Sequence, residues 1–294
     1  MKEKIIFDTD LGSDIDDSFA LAYLLHHSKV DLLGVTTVSG EPEARADLCQ
    51  ILIDEAHKNI PVYVGIENPI TEQHIYQPEC QMKTILKNYD IHRSEQKENA
   101  VDFMIRSARE NKGEVTLIGV GPYSNIAAAI NKDPDFSHNL KRVVIMGCKL
   151  EREKIKNVLD WNILCDQQAG NDVLNADFRE LTIFPCDLTN TIFTPSEYLK
   201  SHVHGEFAHT LNEMGNNWFA RGAKWYHYHD PMAAVYCLHP ELFSTESGYM
   251  SISIQDSLTS WEKCEHGTHH LAIKAGRDAF LKELYFVVND AHYE

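Results

Sequence analysis

Short β-branched runs alternate with longer stretches of helical period from the first residues to about position 185, and this rhythm constrains the fold more than any other feature. Residues 5–7 read as a strand, 18–27 as a helix and 32–38 as the next strand. A helix over about 42–57 and a strand at 61–64 follow. The pattern continues with a helix near 99–111, a strand at 115–119, a helix near 124–130 and strands at 142–146 and 181–184, with a helix near 167–176 between the last two. Strands separated by helices return by crossover and therefore pair in parallel, with helices covering both faces of the sheet. A prior of roughly 150 residues per domain would allow two domains. No linker and no internal repeat divides the chain, so residues 1–294 are expected to form one.

Two stretches break the rhythm. Residues 66–98 are polar, with a short helix possible around 82–88, and a long connection after a strand suits a binding loop or lid. Residues 190–228 read as an inserted helical segment ending in Trp225-Tyr226-His227-Tyr228-His229. The net charge of −17 comes with no long run of Lys and Arg, which argues against nucleic acid and anionic membrane as partners. Three apolar residues near the N-terminus are too few for a signal core, and no stretch approaches the ~20 apolar residues of a membrane helix. Seven cysteines without CxxC spacing favour reduced thiols in a cytoplasmic protein.

The first strand runs into Asp8-Thr9-Asp10-Leu11-Gly12-Ser13-Asp14-Ile15-Asp16-Asp17. Five carboxylates on one tight loop cannot all be ionised unless their pKa values rise or a cation neutralises them. Oxygen-only ligands suit a hard cation, Ca²⁺ or Mg²⁺. In open α/β sheets ligands bind beyond the carboxyl ends of strands, where this loop lies. The blander alternative is that Asp16 or Asp17 caps the helix that follows. An EF-hand fits poorly, because Gly12 falls one position early and Phe19 stands where the closing Glu belongs. A phosphatase of the haloacid-dehalogenase type would use Asp8 as nucleophile and Asp10 as acid/base with Mg²⁺. Gly12, where that family has Thr or Val, and the lack of a late acidic pair count against it.

Six motifs in order resemble the inosine-uridine-preferring nucleoside hydrolases. The family's opening Asp-x-Asp-Pro-Gly-x-Asp-Asp is similar to residues 8–17, with Leu11 for Pro and two extra residues. Val35-Thr36-Thr37-Val38-Ser39-Gly40 resembles its ITTVxGN segment, except that Glu41 replaces Asn. Residues 120–127 resemble its TGPLTNIA turn, 143–147 its VVxMGG strand, 160–166 its EFNxxxD segment and 229–231 its HDP. The resemblance implies a Rossmann-like sheet and Ca²⁺-dependent hydrolysis of the N-glycosidic bond of ribonucleosides. Asp10, Asp17, Asp230 and the carbonyl of Val120 would hold Ca²⁺ with the nucleophilic water, and Asp10 would be the general base. Asp16, Asp160 and Asn162 would bind the ribose hydroxyls, with Glu41 and Met146 lining the pocket. Trp161, Trp225 and Tyr226 are candidates to stack on the nucleobase. His229 is expected to protonate or polarise the departing base, although a His beside an Asp at a helix start is more often a cap. His227 has no such support, and the His266, His269 and His270 group reads as a solvated strand end. A nucleoside is the implied partner, in a homodimer or homotetramer. A non-catalytic nucleoside- or sugar-binding relative is the second reading, which the intact Asp10, Asp17 and Asp230 oppose.

Overall fold

A computed structural model describes residues 2–70, 79–150, 159–256 and 258–289. From the N-terminus, β1 (Glu3–Thr9), α1 (Asp16–His26), β2 (Val30–Thr37), α2 (Pro42–Glu55) and β3 (Val62–Val64) come first. A 3₁₀ helix at Gln81–Asn88 precedes α3 (Ala100–Glu110), β4 (Val115–Gly119), α4 (Ser124–Lys132), α5 (Phe136–Asn139) and β5 (Arg142–Met146). Then come α6 (Trp161–Cys165), α7 (Gln167–Leu174), β6 (Leu181–Phe184) and α8 (Cys186–Thr189). The inserted segment holds β7 (Phe193–Thr194), α9 (Ser196–His202), α10 (Ala208–Ala220) and β8 (Tyr226–His227). The chain closes with α11 (His229–Leu238), β9 (Phe243–Ser253), β10 (Leu258–Lys263), β11 (His269–Ala275) and α12 (Arg277–Val288).

Among the described residues the main sheet has nine strands in the order β10-β9-β11-β6-β5-β4-β1-β2-β3. All pairs from β11 to β3 are parallel, and β9 runs antiparallel to both its neighbours. The expected α/β sheet with helices on both faces is therefore present. Strand alternation explains its two apolar layers. Ile5, Phe7 and Val35 face the layer of α1, α2, α11 and α12, while Ile6, Leu117 and Val143 face that of α3, α4 and α7. Strand order reverses between β1 and β4, and in such sheets a crevice opens at that point. Asp8 and Gly119 pair across it.

The strands at 115–119, 142–146 and 181–184 match their expected limits. The 190–228 insertion carries α9 and α10 as expected, together with the β7–β8 pair. Residues 71–78 of the expected lid lie outside the described residues. One expectation fails in part: His269 is 5% exposed within β11, and its Nδ1 accepts the Met250 N–H at 2.9 Å. It is a buried strand residue, not part of a solvated end. All seven cysteines are free. No helix among the described residues is long and apolar enough to cross a membrane.

His27, at the end of α1, is buried, and its pKa falls to about 4, chiefly through burial. An unfolded His takes up a proton near pH 6.5, so between pH 6.5 and 4 unfolding binds a proton and stability declines as pH falls. This contribution reaches at most about 3 kcal/mol. Chemical denaturation should show the wild-type chain losing up to about 3 kcal/mol more than His27→Gln between pH 7 and pH 4. Equal losses would mean that His27 is not held neutral.

Candidate active site

The aspartate loop leaves β1 at the switch point. Asp8 is fully buried, and its Oδ1 accepts from Thr36 Oγ1 at 2.6 Å and Asn125 Nδ2 at 2.8 Å. Burial raises its pKa to about 7. Asp8 thus braces β1 against β2 and α4 and stands outside the cavity described below, so it has no access to a phosphate ester. At Gly12 φ is +112°, and a Cβ there would lie 2.6 Å from Cys80 Sγ. Thr9 Oγ1 donates to Asp17 Oδ1 and accepts the Leu11 N–H at 3.1 Å. Beneath the loop lies Arg45, 0% exposed. Its Nε donates to Gly40 O at 2.8 Å, and its guanidinium also reaches Asp10 O, Leu11 O at 3.3 Å and Ser13 Oγ at 3.0 Å. The sequence reading passed over Arg45; a lone Arg on the apolar face of α2 was the signal for it.

Asp16 and Asp17 open α1, and Asp230 opens α11. One carboxylate oxygen from each of the three lies within 4.8 Å of the others, and all three are buried. The Asp230 N–H donates to Asp16 Oδ2 at 3.4 Å. Asp10, 5% exposed, faces the same group. Burial raises the pKa of all four. Repulsion from neighbouring carboxylates pushes Asp16, Asp17 and Asp230 further up. A proton on each would be one answer to that repulsion. A hard divalent cation is the other, and the donor set, carboxylate oxygen throughout, fits it. The tight triple includes Asp16, which the family resemblance assigns to the sugar.

The carboxylates floor a cavity of about 320 Å³. Val120, Met146, Trp161, Asn162 and His229 line it, together with Ser13 and Asp14 of the aspartate loop and the unanticipated Gln81, Cys186 and Trp218. Asn162 Nδ2 donates to Val120 O at 2.6 Å and to Met146 O at 3.0 Å. A carbonyl has two lone pairs, so Val120 keeps one for a cation. Asp160 is not on the wall. It caps α6, accepting the N–H groups of Asn162 (3.1 Å), Ile163 (3.2 Å) and Cys148 (2.7 Å). The carboxylate expected on the ribose therefore orients Asn162.

Glu41 also departs from expectation. It precedes α2 in the left-handed region, with φ 60°. Its carboxylate accepts from Lys83 Nζ at 2.5 Å and from the Cys80 N–H at 2.8 Å, and the Lys83 contact holds its pKa below the usual range. It fastens the 3₁₀ segment to α2 and does not line the cavity.

His229 Nδ1 lies 2.6 Å from Thr189 Oγ1, and its ring stacks with His227 at 5.5 Å between centroids. Burial, then the neighbouring His227, lower its pKa to about 3, so the imidazole is neutral near pH 7. Of the expected stacking aromatics only Trp161, 41% exposed, faces the cavity. Tyr226 is buried core against Phe19 and Tyr228, and Trp225 packs edge-on against Phe193. Trp218 of α10 also faces the cavity.

Comparison with known proteins agrees with this arrangement. The model for "Inosine-uridine preferring nucleoside hydrolase" matches residues 5–280. An uncharacterized protein of Schizosaccharomyces pombe is 30% identical over 274 residues, covering 87% of this chain and 86% of that one. The pyrimidine-specific ribonucleoside hydrolase RihB of Escherichia coli is 28% identical over 268 residues, covering 86% and 84%. Among solved structures, a plant nucleoside hydrolase superposes with a TM-score of 0.84 at 20% identity over 98% of this chain and 99% of that one. A purine-preferring ribonucleoside hydrolase from Gardnerella vaginalis gives 0.82 at 21% identity over 98% of each. With its family match running from β1 into α12, the chain belongs to the inosine-uridine preferring nucleoside hydrolase family.

Proposed function

We propose that this chain hydrolyses the N-glycosidic bond of ribonucleosides to free base and ribose in a Ca²⁺-dependent reaction. The observation that carries the reading is the convergence of Asp10, Asp16, Asp17 and Asp230 on one cavity at the sheet's switch point. Asp10, Asp17, Asp230 and the Val120 carbonyl would hold the ion, which when bound makes a water more acidic and offsets the clustered negative charge. Asp10 then takes the proton from the attacking water. As the bond to the base breaks, positive charge grows on the sugar, and the buried anionic wall stabilises it. Asp16 and the Oδ1 of Asn162 receive ribose hydroxyls, and Asp160 holds Asn162 in place.

At the other end of the scissile bond, His229 acts as a neutral hydrogen-bond donor. Thr189 on Nδ1 fixes the ring, and an N–H on Nε2 polarises the departing base. Water supplies hydroxyl to the anomeric carbon, and the base leaves with the electron pair of the broken bond and takes up from solvent a proton equivalent to the one Asp10 removes from the water and returns to solvent. Trp161 and Trp218 provide aromatic faces for that base. RihB is named for pyrimidines and the Gardnerella enzyme for purines, so the preferred base is read from assay. A cytoplasmic location agrees with seven free thiols, and the homo-oligomer implied by the family resemblance is read by light scattering.

The test is a panel of purine and pyrimidine nucleosides followed by reducing-sugar release. Turnover should vanish in chelator and return with Ca²⁺. Binding without turnover would instead support a sensor role, and turnover unaffected by chelation would remove the metal from the mechanism.

A further inference from the structure

The helices that present the aspartates at their first turns converge again at their far ends. α1 has 11 residues, so its last turn lies about 16 Å from Asp16. There His27 follows α1, His239 follows α11, and Glu283 projects from α12. One ligand atom from each of the three lies within 4.8 Å of the others. His239 Nε2 is 3.3 Å and His27 Nε2 3.8 Å from the same oxygen, Oε1 of Glu283. Tyr23 OH donates to that oxygen at 3.2 Å. Behind the ring of His239, Glu241 Oε1 sits 2.8 Å from Nδ1.

We propose that His27, His239 and Glu283 form a second metal site, for a divalent transition ion of the zinc type, independent of the proposed reaction at the carboxylate cavity. Two imidazoles and one carboxylate are a donor set for Zn²⁺ or Co²⁺, and a poor one for Ca²⁺, which prefers oxygen throughout. Water completes the fourth position. Glu241 supplies the outer carboxylate that fixes a ligating His with Nε2 toward the ion. Both histidines follow helix C-termini, where the backbone dipole favours a cation. Access is through His239, whose side chain is 21% exposed, while His27 and Glu283 are buried at 5% and 6%.

The proton balance is simple. The ion takes the Nε2 lone pair of His239, whose Nδ1 faces Glu241 Oε1 at 2.8 Å. His27 Nδ1 now accepts the Lys29 N–H at 3.2 Å, so its proton sits on Nε2. Binding moves that proton to Nδ1 and releases the Lys29 amide, on an exposed turn, to water. The bound ion would tie α1, α11 and α12 together.

The test uses tag-free, Ca²⁺-loaded protein titrated with Co²⁺ and then Zn²⁺. Expected are one equivalent of Co²⁺ with the visible absorption of a four-coordinate ion, its displacement by Zn²⁺, and a Tm rise of roughly 5 °C at a hundredfold excess over Kd. Asp17→Asn should keep all three signals, which separates this site from the cavity. His239→Gln and Glu283→Gln should lose them while nucleoside turnover persists. Should either variant fail to fold, Glu241→Gln should weaken Co²⁺ binding about tenfold or more. No Co²⁺ band in the wild-type chain, or signals that survive in His239→Gln, would overturn the proposal.

Discussion

Asp10→Asn should fold normally and lose about 10²- to 10⁴-fold in kcat, the usual contribution of a positioned general base. The amide matches the carboxylate in shape but neither takes a proton from water nor carries charge toward the neighbouring aspartates. A second readout separates this from simple damage. In chelator the wild-type chain holds several buried carboxylates whose pKa values burial raises, and the charge of Asp10 pushes those of Asp16, Asp17 and Asp230 further up. Removing one charge relieves that repulsion, so metal-free Asp10→Asn should melt at or above the wild-type temperature. Activity within tenfold of wild type would remove Asp10 from the mechanism. Lost activity with a large drop in melting temperature would assign it a structural part instead.

Arg45→Met should cost about 3–5 kcal/mol in chelator, the range for breaking a buried ionic arrangement by removing one partner. Methionine fills comparable space but leaves the carbonyls of Gly40, Asp10 and Leu11 without their buried donor. It also removes the cation that favours ionised Asp10 and Asp17. Because a divalent ion supplies charge to the same cluster, the penalty should shrink when Ca²⁺ is added. Urea denaturation with and without the ion measures both figures. A loss under 1 kcal/mol in both conditions would show that the guanidinium does not hold the loop.

The middle of the sheet was legible in sequence because buried parallel strands such as 142–146 and 181–184 are short, largely apolar runs rich in β-branched residues. β9 and β10 were not read, and β11 only as a strand end at its histidines. Phe243–Ser253 is rich in Ser, Thr and Glu, since an edge hairpin exposes much of its surface, and its register comes from β11. At the site, Asp10, Asp16, Asp17, Asp230, Val120, Met146, Trp161, Asn162 and His229 were legible as residues on one cavity, each lying at a strand end or helix start. Glu41 and Asp160 were misplaced for one shared reason. A carboxylate just before a helix reads alike whether it faces ligand or backbone, and the partners that decide, Cys80, Lys83 and Cys148, lie elsewhere in the chain. Trp218 was missed because a helix in an insertion shows its own apolar face but not the direction in which it docks.

Asp230 follows Asp17 by 213 residues. At 5–20 residues per second, a ribosome needs on the order of ten to forty seconds to travel from one to the other. Throughout that interval the N-terminal aspartates of a nascent chain lack the carboxylate that completes their triple, so a cation has no finished site to occupy. Ion capture then reports the arrival of α11 rather than the start of folding, and a ribosome-stalled chain ending before residue 230 should hold the ion far more weakly than the finished one.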